Sequence, residues 1–166
     1  NTSDNDCTLD TSVTVGWLDI EETYDGTITL ATDLTISSEL TIEENAAISI
    51  GSQRLYLNGN LTVAGILTGA GSTVIFDADD HNNTISGGTI DDAVTFTTGS
   101  AATWTLLGDL TITGDMTISS DCTVSAGTYD LSVSGHIIAD GSLQMAEGSR
   151  LLLGNNKTAH FRSGSS

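Results

Sequence analysis

The sequence predicts an all-β fold, a single-domain parallel β-solenoid of about six or seven coils. Three observations favour it: short strand-like triads recur along the chain, one stretch resembles a later stretch, and proline is absent. Three consecutive triads take about 20 residues, which is typical of one turn of a three-sided coil. Proline has no N–H group to donate, so its absence suits an uninterrupted stack of hydrogen-bonded strands.

The recurring element is an apolar–polar–apolar triad whose middle residue is usually Thr or Ser. This two-residue alternation predicts a strand with one face turned inward, and no stretch has the spacing of an amphipathic helix. The triads are Ile28–Leu30, Leu34–Ile36, Leu40–Ile42, Ile48–Ile50, Leu55–Leu57, Leu61–Val63, Trp104–Leu106, Leu110–Ile112, Met116–Ile118, Cys122–Val124 and Leu131–Val133.

The two series of triads resemble each other. Shifting residues 28–67 by 76 places them on residues 104–143, with 14 identities in 40 positions and no gap. We interpret this as an internal duplication, with copies around 28–76 and 104–153. At about 20 residues per coil, the offset predicts about four whole coils, so each copy should return to the same face.

The domain organisation follows from where the triads lie. Residues 25–153 are predicted to form the solenoid. Residues 1–24, which contain the strand-like runs 12–15 and 17–20, are predicted to be an N-terminal extension or cap. Residues 154–166 are predicted to be a polar C-terminal tail.

The charge balance excludes several partners. The chain carries 22 acidic residues against 4 basic ones, a formal net charge of −18. Binding to nucleic acid needs a basic surface, and so does binding to anionic lipid by charge. No apolar run approaches the ~20 residues of a membrane span, so we expect no membrane insertion. The first residue is Asn1 rather than Met, which fits a secreted, extracellular form whose leader has been removed.

Cysteine and asparagine residues provide candidate covalent sites. Cys7 and Cys122 permit one disulfide within the chain or a bond to a neighbouring copy. Asn-X-Ser/Thr sequences, the acceptors of N-linked glycan, also occur. They begin at Asn1, Asn60, Asn82 and Asn156.

The densest polar segment interrupts the repeat at residues 77–83. Asp77, Asp79 and Asp80 are followed by the amide side chains of Asn82 and Asn83, and such oxygen ligands suit Ca²⁺. The alternative is a solvated acidic loop without a bound ion. No other cofactor is predicted.

The repeat pattern of residues 25–153 resembles the right-handed parallel β-helix repeats of microbial cell surfaces, filaments and adhesins. It departs from left-handed hexapeptide solenoids, whose strict six-residue step is broken here at Ile48, Leu55 and Val74. The resemblance implies a location at the cell surface or outside the cell.

Two functions fit these features. The first is a structural subunit that assembles head to tail with copies of itself into an extracellular filament, sheath or surface layer, since open solenoid ends present unpaired strand edges. The alternative is an adhesin or carbohydrate-binding module of a larger surface protein, with surface glycans as partners. Enzymatic activity is not expected, because His81, His136 and His160 are scattered and no nucleophile motif accompanies them.

Overall fold

A computed structural model describes residues 6–162, and these residues form one stack of parallel strands. No helix occurs within this part of the chain, and so none that could cross a membrane. The strands are β1 (Cys7–Leu9), β2 (Val13–Ile20), β3 (Thr27–Leu30), β4 (Leu34–Ile42), β5 (Ala47–Ser49), β6 (Arg54–Leu57), β7 (Asn60–Val63), β8 (Ile66–Asp77), β9 (Asn83–Ile85), β10 (Gly88–Thr97), β11 (Ala102–Leu106), β12 (Leu110–Ile112), β13 (Met116–Ile118), β14 (Cys122–Gly127), β15 (Leu131–Val133), β16 (Ile137–Ala139), β17 (Ser142–Met145), β18 (Leu151–Leu153) and β19 (Ala159–Phe161).

The strands stack in three columns, which we call faces 1, 2 and 3. Four longer strands, β2, β4, β8 and β10, turn a corner and contribute a segment to each of two faces. Face 1 contains β1, β3, β5, the first part of β8, the first part of β10, β12, β15 and β18. Face 2 contains the first parts of β2 and β4, then β6, the second parts of β8 and β10, β13, β16 and β19. Face 3 contains the second parts of β2 and β4, then β7, β9, β11, β14 and β17.

The register of the parallel strands places residues of similar polarity above one another. Leu34 pairs with Leu55, which in turn pairs with Val74, so apolar residues lie above one another on successive coils. The predicted solenoid is confirmed, with about seven turns. All the predicted triads lie in strands or at their ends, and their apolar residues point inward because a strand sends alternate side chains to opposite sides.

The core is a column of aliphatic side chains that changes character at mid-height. Ile, Leu and Val fill most rungs, whereas Phe76, Phe96 and Trp104 form a buried aromatic cluster. The Phe76 and Phe96 rings stack with centroids 4.7 Å apart, and Trp104 meets Phe76 edge-on at 4.8 Å. The predicted inward position of Trp104 is therefore confirmed.

Aspartates link successive coils at the corners. Oδ1 of Asp33 accepts a hydrogen bond from the backbone N–H of Arg54, and Oδ1 of Asp109 accepts one from Asp130, both at 2.9 Å. Each bond satisfies an N–H group at or just before the start of a strand, where the ladder would otherwise leave it unpaired. Three further aspartates accept the same kind of bond, namely Asp6, Asp115 and Asp130.

Residues separated by the 76-residue offset of the internal repeat have the same backbone geometry at the corners. Gly65 donates its N–H to the carbonyl of Ile42 at 3.0 Å, and its counterpart Gly141 donates to Ile118 at 3.1 Å. A Cβ atom at either glycine would lie within 2.4 Å of two backbone oxygens, so neither corner has room for a side chain. The matched glycines in the sequence thus mark corners of the same shape.

The prediction that this offset returns the chain to the same face is wrong. Ile28 lies on face 1, whereas Trp104 lies on face 3. The interval between them covers eleven strand segments, which is three and two-thirds coils. The coils are slightly longer than the assumed period, so the offset falls short of a fourth coil and the repeated unit is rotated by one third of a turn.

The stack extends beyond residues 25–153 at both ends. β1 and β2 pair with β3 and β4, so residues 7–20 belong to the first coil. At the other end β19 pairs with β16 and adds a rung from the segment predicted to be a polar tail. β19 was not predicted from the sequence: Ala159–Phe161 alternates like the other triads, but its middle residue is His rather than Thr or Ser, and it lies in a polar segment.

Candidate functional site: the two open ends of the stack

The N-terminal end consists of β1 and β2. Both strands pair on one side only within residues 6–162, so their other backbone edge is open. Most of their inward residues, such as Leu9, Val13 and Leu18, are only partly buried, whereas the residues stacked above these three are buried; Ile20, at the end of β2, is already in the core. Val15 is half-buried, for example, while its partner Ile36 is 1% exposed. This end therefore presents a strand edge together with the base of the apolar core.

The C-terminal end consists of β17, β18 and β19. These strands also pair on one side only within the described residues. Leu143, Met145 and Leu151 are partly buried against the core, and Phe161 is 58% exposed. The top of the apolar column is thus open in the same way as its base.

The two ends differ in charge. Residues 6–25 contain six acidic side chains and no Lys or Arg. Residues 142–162 contain three of the four basic residues of the chain and a single acidic residue, Glu147. These basic residues are Arg150, Lys157 and Arg162. An acidic end and a basic end attract each other, although the whole chain repels its copies at long range.

Arg150 is held in place by the coil beneath it. Its guanidinium donates to Oδ2 of Asp130 from Nε at 2.9 Å and from a terminal nitrogen at 2.5 Å. The hydrogen bond from Arg150 holds the pKa of the Asp130 carboxyl below its usual range. The pair anchors the start of β18 to the previous rung.

The predicted calcium site is not assembled. Asp79 accepts hydrogen bonds from Thr98 at 3.0 Å and from the Gly99 N–H at 3.1 Å. Oδ1 of Asp80 accepts from the side-chain amide of Asn83 at 2.7 Å. Asp77 ends β8 one corner earlier. No group of three acidic, His or Cys side chains is placed to hold a metal ion within residues 6–162. The loop is instead a hydrogen-bonded connection between β8 and β9.

The two cysteines lie far apart. Cys7 is exposed on the first rung of face 1, and Cys122 is buried on face 3 between five and six coils later. Rungs stack ~4.8 Å apart, so the separation is roughly 27 Å, well beyond the reach of a disulfide. Both are free thiols, and the core position of Cys122 gives no support to a bond with Cys7 of another copy.

Burial raises the pKa of the Cys122 thiol to about 11 from the ordinary value of 9.0. The thiolate is the reactive form, so Cys122 should resist alkylation while Cys7 reacts. With a thiol reagent at mildly alkaline pH and high dilution, we expect one rapid modification of the native chain and two after denaturation. Rapid reaction of Cys122 in the native chain, located by peptide mapping, would contradict its place in the core.

The candidate glycosylation sites occupy different settings. Oδ1 of Asn60 accepts hydrogen bonds from the backbone and the hydroxyl of Thr84, both at 3.0 Å, so that side chain is part of the inter-coil ladder. Asn82 is exposed in the loop before β9, and Asn156 is exposed in a turn. Asn1 lies outside the described residues.

One buried carboxylate was not predicted as a site. Asp92 is 8% exposed at a corner between faces 1 and 2, where the register between β8 and β10 shifts. One oxygen accepts from the Ser72 hydroxyl and the other from the Ala93 N–H at 2.8 Å. Because these hydrogen bonds are internal, we interpret Asp92 as a support for the corner. The acidic pair Asp91–Asp92 in the sequence gave no sign of which residue is buried.

The aromatic residues of the described part of the chain do not form a sugar-stacking platform. Trp17 lies on the first coil of face 3, Tyr56 on face 2, and Tyr129 in the turn after β14. Of the histidines, His81 lies apart beside Thr103, whereas His136 and His160 both contact the Thr158 hydroxyl, at 3.1 and 3.2 Å.

The fold defines the class of the protein as a parallel β-solenoid. Comparison with protein-family models, with curated proteins and with solved structures gave no match.

Proposed function

We propose that the chain is a structural subunit whose copies stack head to tail into an extracellular filament, sheath or surface layer. The observation that carries the proposal is the complementarity of the two ends. Each offers parallel strand edges around an incompletely covered apolar core, and one is acidic where the other is basic.

Stacking would continue what the chain already does within itself. Each internal rung covers the one before it with parallel backbone hydrogen bonds and inward Leu, Ile or Val. A second copy placed on β17–β19 would provide the same cover. Because the contact joins two different surfaces, it does not close on itself and generates a linear polymer.

Higher ionic strength should favour this assembly. A net charge of −18 repels copies over ~30 Å at about 10 mM salt, but over only ~8 Å at about 150 mM. The contact itself depends mainly on apolar burial and backbone pairing, which salt screens little. Assembly should therefore increase between these two conditions.

Sedimentation velocity and negative-stain electron microscopy test the proposal together. We expect species larger than the 17.1 kDa chain whose share grows with protein concentration and is greater at the higher salt. The micrographs should show rods one subunit wide. A chain that remains monomeric in both conditions would contradict the proposal and favour the alternative of an adhesin or carbohydrate-binding module.

A further inference from the structure

The geometry points to one particular orientation of the second copy on the first, rotated by one third of a turn about the stack axis. We call this orientation the rotated seat, and the orientation without rotation the unrotated seat. This inference rests on the proposed head-to-tail assembly and specifies how the two ends meet. It follows from the number of strand segments on each face and from the positions of the charged residues.

The three faces do not carry equal numbers of strand segments within residues 6–162. Faces 1 and 2 each hold eight, whereas face 3 holds seven. The described stack is therefore seven and two-thirds coils, and its C-terminal end is a ramp. β17 on face 3 is the lowest step, and β19 on face 2 is the highest.

An unrotated copy cannot cover this ramp. Its β1 would lie on β18 and the first part of its β2 on β19, but the second part of its β2 would sit two strand spacings above β17. That gap would leave Leu143 and Met145 uncovered on one side and Leu18 on the other. The backbone edges facing the gap would also remain unpaired, which is costly for groups removed from water.

A copy rotated by one third of a turn closes all three faces. Its β1 lies on β17, the first part of its β2 on β18, and the second part of its β2 on β19. Every open edge then gains a parallel neighbour at one strand spacing.

The internal repeat supplies the register for this seat. Within one chain, the 76-residue offset of the internal repeat already moves a corner of the same shape by one face, as the corners at Gly65 and Gly141 demonstrate. Applying the same rotation to the second copy places its Val13 on Leu151 and its Leu18 on Ala159. Apolar inward residues therefore meet apolar inward residues.

The rotated seat also brings an acidic residue next to a basic one. Glu21 of the second copy would follow onto Arg162, which pairs with Asp140 of the coil beneath at 3.4 Å, and Asp19 would stack on His160. In the unrotated seat the neighbours of His160 and Arg162 would be Thr14 and Gly16, which carry no charge. The acidic–basic contact between Glu21 and Arg162 therefore forms in the rotated seat and not in the unrotated one.

Two engineered cysteine pairs distinguish the seats. Both are made with Cys7→Ser, which removes the exposed native thiol. Asp19→Cys with His160→Cys reports the rotated seat, because stacked neighbours lie within disulfide range. Thr14→Cys with His160→Cys reports the unrotated one. Each variant is oxidised at the salt concentration that favours assembly and run on a denaturing, non-reducing gel.

We expect a ladder of covalent oligomers from the 19/160 pair and at least tenfold less from the 14/160 pair. A ladder from the 14/160 pair would overturn the rotated seat, as would failure of both pairs in samples that sediment as polymers. Samples of both variants and the parent chain that sediment only as monomers would instead remove the proposed function. Sedimentation of each sample before oxidation therefore separates the two failures.

Discussion

Replacing Trp104 with alanine is expected to lower the free energy of unfolding by about 3–5 kcal/mol, as for other large aromatic side chains removed from a core. Trp104 is fully buried and contacts both Phe76 and Phe96 at mid-height of the stack. Truncation would leave a cavity that the rungs above and below cannot fill, because their backbones are fixed by parallel ladders on three faces. Urea unfolding followed by far-UV circular dichroism measures the loss.

Trp17 provides a matched control for this substitution. It is 75% exposed on the outer side of β2, so Trp17→Ala should change the unfolding free energy by no more than about 0.5 kcal/mol. Trp104→Phe is a second comparison, since it keeps most of the volume and removes an indole N–H that has no hydrogen-bond partner. Equal losses for Trp104→Ala and Trp17→Ala would contradict the assignment of the core.

Much of the fold could be predicted from the sequence because each strand has the same simple pattern. Triads such as Leu34–Ile36 alternate apolar and hydroxyl residues, and burial on one side follows from that alternation. The first coil was harder to assign, since strand-like runs in residues 12–20 do not reveal whether they cap the stack or belong to it.

The phase of the repeat could not be predicted, because it depends on the exact length of each coil. A small error in the assumed coil length accumulates over the 76-residue offset. After rounding to a whole number of coils, the expected position of the second repeat is wrong by one strand segment, and therefore by one face. Coil lengths vary because corners differ in length without changing the triads. Four residues separate Thr68 from Thr73 in β8, for example, whereas only Asp92 separates their partners in β10. The structure was needed to count the rungs.

The candidate site was predictable in kind but not in detail. Open ends follow from any solenoid without a cap, whereas their charge difference depends on which residues lie on the terminal rungs. The structure does not bring the three aspartates of the acidic loop 77–83 together as metal ligands. The carboxylates of Asp79 and Asp80 are used in hydrogen bonds to neighbouring loop residues, and composition alone does not distinguish that role from metal binding.

Blocking one end of the chain should abolish polymerisation, while the other end can still form one end-to-end contact. Val15→Asp places a charge at the base of the apolar core and blocks the N-terminal end. Leu151→Asp does the same at the C-terminal end. The adjacent outward substitutions Thr14→Asp and Leu152→Asp add the same charge to the same strands outside the core, so they should still assemble.

Mixing the two blocked variants tests head-to-tail stacking most directly. Each blocked variant retains one functional end, and the two retained ends are complementary. In sedimentation velocity, Val15→Asp alone and Leu151→Asp alone should be monomers, and an equimolar mixture should form dimers that do not grow further. A mixture that stays monomeric while the unmodified chain polymerises, or a blocked variant that still forms polymers alone, would contradict head-to-tail assembly through these ends.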